Sequence, residues 1–106
     1  MKKTKVYISG AISGRERQDY LRQFGDAERK LLSLGYKVCN PTKLLPSRHL
    51  WVYRLVGYKL TLLYDFFHLL RCDKILMLDG WESSRGARCE KALANEFGIK
   101  ELIIFT

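Results

Sequence analysis

Lys5-Val6-Tyr7-Ile8-Ser9-Gly10-Ala11-Ile12-Ser13-Gly14 is the stretch on which the fold turns. Its first five residues are β-branched, aromatic and mostly apolar, without the strict in-out alternation of a half-exposed strand. That is the pattern of a strand covered on both faces. The small residues from Gly10 to Gly14 then make a turn. Met1 to Lys5 is basic and Val6 to Ile12 mostly apolar, as at the start of a signal peptide, but Ser9 and Gly10 break the apolar run. A first strand explains the segment better.

Downstream, apolar residues recur at Tyr20, Leu21, Phe24, Ala27, Leu31 and Leu34. This three-and-four spacing predicts an amphipathic helix from Glu16 to Leu34, stopped at Gly35, with Gly25 a small internal cost. Tyr36 to Cys39 reads as a second strand ended by Asn40-Pro41, and the segment to His49 as a loop. Leu50 to Arg71 reads as a helix apolar on nearly every side, Lys74 to Leu78 as a third strand and Asp79 to Ser84 as a turn. Arg85 to Phe97 is a third helix and Glu101 to Phe105 a last strand.

Parallel strands need helical crossovers that cover both faces, so the order β-α-β-α-β-α-β predicts one α/β domain over residues 1–106. Right-handed crossovers make it a flavodoxin-like three-layer domain: a four-stranded parallel sheet in the order 2-1-3-4 with helices on both faces. Ligands in such sheets sit beyond the carboxyl ends of the strands where the order reverses. Here that crevice lies between the loops Ser9 to Arg15 and Asp79 to Ser84.

Composition sets the limits. With 106 residues, 28% charged and 47% hydrophobic, the chain is an ordinary globular protein, too short for a two-domain enzyme. Nineteen Lys and Arg against eleven Asp and Glu give a net charge of +8, a field that attracts anions without choosing among them. Leu50 to Leu70 is interrupted by Arg54, Lys59, Asp65 and His68, so it is not expected to span a membrane. Cys39, Cys72 and Cys89 are odd in number and far apart, which suits reduced thiols and a cytoplasmic location. With only His49 and His68 to join them, no metal centre is expected, and no cofactor is implied.

Chemistry concentrates in Gly80-Trp81-Glu82-Ser83-Ser84-Arg85-Gly86-Ala87-Arg88-Cys89-Glu90. Ser84 is a natural N-cap, leaving amides at the helix start to favour a phosphate in the crevice, or simply closing the helix. On a helical wheel Glu90 falls amid Gly86, Ala87, Leu93, Ala94 and Phe97, mid-way across the apolar face. A carboxylate there is expensive unless it is paired or hydrogen-bonded inside the fold, neutralised by a raised pKa, or kept for function beside a cleft. Asp65, on one side of the second helix with Tyr58, Thr61, Leu62, Leu69 and Cys72, is a second such carboxylate: a partner with a divided role, or half of an interface salt bridge. Asp73 and Asp79 flank strand three as turn and cap residues. The loop Gly10 to Arg15 offers amides, the Ser13 hydroxyl and the Arg15 cation to a phosphate, though turn chemistry explains it equally. Tyr7, Trp51 and Trp81 can stack on a nucleobase or fill the core.

The combination of Tyr7-Ile8-Ser9-Gly10 to Gly14, Asp65 eight residues before Asp73, and Ser84-x-Gly86-x-x-x-Glu90 resembles the nucleoside 2-deoxyribosyltransferase-like superfamily. The run Gly80-Trp81-Glu82-x-Ser84-x-Gly86-Ala87 is similar to that of a small, often phage-associated branch, and the likeness covers essentially the whole chain. The resemblance implies cleavage of the N-glycosidic bond of a nucleoside or nucleotide, with Glu90 attacking the anomeric carbon and water or another base capturing the glycosyl-enzyme. Asp65 matches the family aspartate that assists at the nucleobase or sugar. Transferases of the superfamily carry aspartate six residues before the nucleophile; the 2′-deoxynucleoside 5′-monophosphate N-hydrolases carry serine, as here at Ser84. Those hydrolases have arginine where this chain has Ser13, so a phosphate would rely on Arg15, Arg85 or backbone amides. The expected catalytic pair is therefore Glu90 and Asp65, and the expected substrate-binding residues are Ser9, Gly10, Ile12, Ser13, Gly14, Arg15, Trp81, Ser84 and Gly86. Members commonly pair as homodimers that close the site, which the apolar Leu50 to Leu70 helix suits. Two other readings stand beside this one: a catalytically silent nucleotide-binding module, and a nucleic-acid-binding domain motivated by charge alone and supported by no motif.

Overall fold

The computed structural model of the chain describes residues 3–12, 14–43, 57 and 62–104. Strand β1 (Lys5–Ser9) leads into α1 (Arg17–Ser33), β2 (Lys37–Cys39) and a 3₁₀ turn at Pro41–Lys43. Helix α2 is described over 62–69. Then come β3 (Lys74–Met77), a 3₁₀ turn at Trp81–Ser83, α3 (Arg85–Glu96) and β4 (Lys100–Glu101). All strand pairs are parallel and the sheet order is β2-β1-β3-β4, with Tyr7 opposite both Cys39 and Ile75. This is the flavodoxin-like α/β arrangement expected from the order of elements.

Period-two alternation along β1 divides the core. Val6 and Ile8 face α1, where they pack with Tyr20, Phe24, Leu31, Leu76 and Leu78. Tyr7 faces the other way, into a cluster with Cys39, Leu69 of α2, Cys72, Ile75, Ala94 of α3 and Ile99. The sheet is therefore sandwiched, α1 on one face and α2 with α3 on the other. Because β1 has neighbours on both edges and helices on both faces, Val6, Tyr7, Ile8 and Ser9 are all fully buried.

Glycine ends α1 and α3 in the same way. Gly35 adopts φ +91°, its N–H donates to Leu32 O, and Tyr36 N–H donates to Leu31 O. At Gly98, φ +74°, the matching bonds run from Gly98 to Asn95 O and from Ile99 to Ala94 O. Each places an apolar residue just past the helix against one inside it, which sets the angle at which the chain re-enters the sheet.

Four expectations change. The last strand was expected over Glu101 to Phe105, but the paired segment is Lys100–Glu101, followed by one bond from Leu102 N–H to Ile75 O. Among the described residues β4 is an edge strand with β3 as its sole neighbour, and β3 stops pairing with it after Ile75. Ile103 is correspondingly exposed. Phe97 does not join the apolar face of α3: it is the C-cap residue, where the chain leaves helical geometry, and is 61% exposed. Asp73 does more than turn the chain, since its Oδ2 accepts the Lys5 N–H at 2.9 Å and ties β1 to the start of β3. Of the expected Leu50 to Arg71 helix, residues 50–56 and 58–61 lie outside the described residues, and Leu70 and Arg71 form a turn.

Candidate functional site

Tyr7 and Ser9 are two residues apart on β1, so both side chains emerge on the α2/α3 face at the carboxyl end of the strand. Above them runs α3, which buries Ala87, Glu90 and Ala94 along one stripe. Glu90 sits in the middle of that stripe, 5% exposed. Its Oε2 accepts the Tyr7 hydroxyl and its Oε1 accepts the Ser9 hydroxyl, each at 2.6 Å. These two hydroxyl donors, one to each oxygen, fix the plane of the carboxyl group and offset part of the cost of burying it.

Asp65, on α2, is 6% exposed and belongs to the same electrostatic group. Burial first, then the negative charges of Glu90 and Asp65, push the Tyr7 phenol well above its ordinary range, so it remains a neutral donor. Both carboxylates also act on Cys39, opposite Tyr7 on β2. Glu90 and Asp65, from two helices, thus both act electrostatically on one buried phenol.

The loops at the mouth are tied together. Arg15 Nη1 donates to Ala11 O at 2.9 Å and to Gln23 Oε1 at 2.6 Å. Gln23 Nε2 in turn donates to Asp79 O at 3.0 Å, joining the loop after β1 to the loop after β3 through α1. Gly10 lets those loops close: a Cβ there would lie 3.0 Å from Leu78 Cβ and 3.3 Å from Phe24 Cζ. Ser84 caps α3, its Oγ accepting the Ala87 N–H at 3.2 Å. Arg85 and Arg88 are exposed at that helix start, Arg88 Nη1 donating to Glu82 O at 2.7 Å.

The expected site residues therefore divide. Glu90, Asp65 and Ser9 come together in the buried group, and Ser9 is spent on holding Glu90. Gly86 and the half-buried Trp81 sit with Ser84 at the start of α3. Ile12 packs against the cluster on the α1 face, away from Glu90, and Gly14 is an exposed turn residue with φ +80°. Ser13 and Trp51 lie outside the described residues. Sequence reasoning missed two residues in their actual roles. Tyr7 was read as a ring for stacking or core, although a Tyr-x-Ser on a buried strand signals two hydroxyls needing an acceptor on one face. Gln23, on the flank of an amphipathic helix, carried no signal of its own.

Among the described residues no group of three or more His, Cys, Asp or Glu is placed to hold a metal ion, and no helix is long and apolar enough to cross a membrane. A family model described as Domain of unknown function (DUF4406) matches residues 4–103, and the chain belongs to that family. No match was found among curated proteins or among solved structures.

Proposed function

We propose that this member of the DUF4406 family cleaves the N-glycosidic bond of deoxynucleoside 5′-monophosphates through Glu90, with transfer of the deoxyribosyl group to a second base as the near variant. The observation that carries the reading is the pair of hydroxyl bonds that orient the Glu90 carboxylate at the carboxyl end of the central strand. A buried acid that served only to cap hydroxyls would be an expensive way to fill that space. It lies where α/β sheets of this order take their ligands.

In this reading one Glu90 oxygen attacks the anomeric carbon, and the C–N bond breaks with its electron pair leaving on the base, which takes up a proton. Water or another base then displaces the carboxylate and frees it. Tyr7 and Ser9 position the nucleophile by holding its plane. Asp65 assists at the base or sugar, and its charge, like that of Glu90, acts on the Tyr7 hydroxyl. The phosphate is met by the exposed Arg85 and the amides opening α3, with Arg15 across the mouth.

The substrate would be enclosed by a second copy of the chain. Leu63 and Phe67 lie one helical turn apart on the outward face of α2, the helix that carries Asp65, and with Leu70 in the turn that follows they are 59%, 56% and 44% exposed.

The test is incubation of the protein and its Glu90→Gln variant with ribo- and deoxynucleosides and their 5′-monophosphates, followed by chromatography for free base. Base release from the deoxynucleotides, lost in the variant while binding persists, is the expected result. Binding without release from any substrate would replace catalysis by a silent nucleotide-binding role.

A further inference from the structure

Arg15 is half-buried in the loop after β1, and both of its side-chain bonds leave from one nitrogen. Nη1 donates to Ala11 O at 2.9 Å and to Gln23 Oε1 at 2.6 Å. A guanidinium carries five N–H groups, two of them on Nη1, so these bonds occupy Nη1 and leave the three on Nε and Nη2. Those two nitrogens form the side-on edge that grips two oxygens of one phosphate or carboxylate together. The ion pairs among the described residues are Arg29–Asp26, Lys43–Glu28 and Lys91–Glu101, and none of them involves Arg15. Its guanidinium is thus seated by two neutral oxygens that leave its charge uncompensated.

Gln23 makes that seat specific. From α1 its Oε1 accepts the Arg15 bond while its Nε2 donates to Asp79 O at 3.0 Å, in the loop after β3. An amide can accept from a guanidinium and donate to a carbonyl at the same time. A carboxylate of the same size would accept from Arg15 too, but it would pair off the charge and offer no donor to Asp79 O. The neutral side chain therefore fixes the guanidinium and leaves its field at the carboxyl ends of β1 and β3, where the sheet order reverses.

We propose that Arg15 presents its Nε/Nη2 edge to the terminal phosphate of a nucleotide, and that Gln23 is the positioning residue that holds this edge in place without neutralising it. The choice of phosphate over other oxyanions rests on the reading of the substrate as a 5′-monophosphate. A phosphate monoester brings close to two negative charges and three terminal oxygens, so it takes up the two-pronged edge and the uncompensated charge together. Gln23 touches no ligand in this account; it acts through Arg15.

The experiment titrates the full wild-type chain, Gln23→Glu and Gln23→Leu with 2′-deoxyadenosine 5′-monophosphate, 2′-deoxyadenosine and inorganic phosphate by calorimetry, with a thermal melt of each protein alongside. The wild type is expected to bind the monophosphate at least about tenfold more tightly than the nucleoside. Gln23→Glu keeps Arg15 in place but quenches its charge, so this preference should fall by about tenfold, with inorganic phosphate weakening in step. Gln23→Leu removes both bonds without adding a charge and should lose less. A merely structural Gln23 would lower Tm in both variants and leave the ratio of the two affinities where it was. The proposal is overturned if the wild type shows no preference for the monophosphate, if Gln23→Glu retains it, or if Gln23→Leu loses as much. Arg15→Lys keeps the charge and lacks the fork, so it gives a second reading should either Gln23 variant fail to melt cooperatively: its preference should fall several-fold, and full retention overturns the proposal. Base release enters none of these readouts. Release without a phosphate preference sinks this proposal alone, and a preference lost in Gln23→Glu without any release sinks only the catalytic reading.

Discussion

Replacing Tyr7 with phenylalanine removes one hydroxyl from a fully buried ring and leaves the packing volume nearly unchanged. What is lost is the bond to Glu90 Oε2 at 2.6 Å. A hydrogen bond to an ionised partner contributes about 1.5–3 kcal/mol, and Ser9 still serves the other oxygen, so the cost near neutral pH is about 2 kcal/mol. For a domain of this size that lowers Tm by roughly 10 °C. The pH dependence gives the sharper test. Burial, then the charges of Glu90 and Asp65, raise the Tyr7 pKa well above its usual value of 10.0. Above that pH the unfolded chain releases the phenol proton while the native chain keeps it. The unfolded state then binds fewer protons, and wild-type stability falls by up to about 1.4 kcal/mol per pH unit. Tyr7→Phe lacks this loss. Its deficit of about 2 kcal/mol at neutral pH should shrink by about 1.4 kcal/mol at pH 11 and vanish near about pH 11.5. Urea unfolding of both proteins, followed by tryptophan fluorescence from neutral to alkaline pH, measures the difference, in which the other tyrosines cancel. A deficit that stays constant into the alkaline range, or no deficit at neutral pH, would refute the account of Tyr7 as a protonated donor to Glu90.

Two further substitutions test the frame of the site. Gly10→Ala sets a Cβ 3.0 Å from Leu78 Cβ, an atom that cannot swing away because Leu78 N–H is bonded to Ser9 O at 2.8 Å. It should cost about 1–3 kcal/mol by overpacking, read as a lower urea midpoint, and a neutral result would mean that the two loops are not held together at this point. Ser84→Ala removes the acceptor of the Ala87 N–H and should cost about 1 kcal/mol, largely restored in Ser84→Asp. If alanine and aspartate behave alike in thermal melts, the cap is not what anchors α3.

The order of elements, the parallel sheet and the burial of Glu90 were all legible in the chain, because each rests on local periodicity: an apolar run in Lys5–Ser9, three-and-four spacing in α1, and Glu90 amid Gly86, Ala87 and Ala94 on one face of α3. The extent of the last strand was not legible. Glu101 to Ile104 has strand-forming side chains, but the length of a strand depends on how far its neighbour continues, which is a property of the sheet. Phe97 misled for a related reason, since a wheel assumes that the helix continues and this one ends.

Sequence by itself determined where helices and strands form and which faces they bury, because those choices are made over a few residues by side-chain size, polarity and backbone preference. Only the tertiary structure decided what the buried polar groups do. Tyr7 and Ser9 meet Glu90 across 83 and 81 residues, and Cys39 and Cys72 enter one buried cluster from distant parts of the chain. A hydrogen bond depends on the distance between two atoms, and that distance is set by the register of β1 against its neighbours and by the seating of α3 on the sheet, neither of which any local pattern encodes.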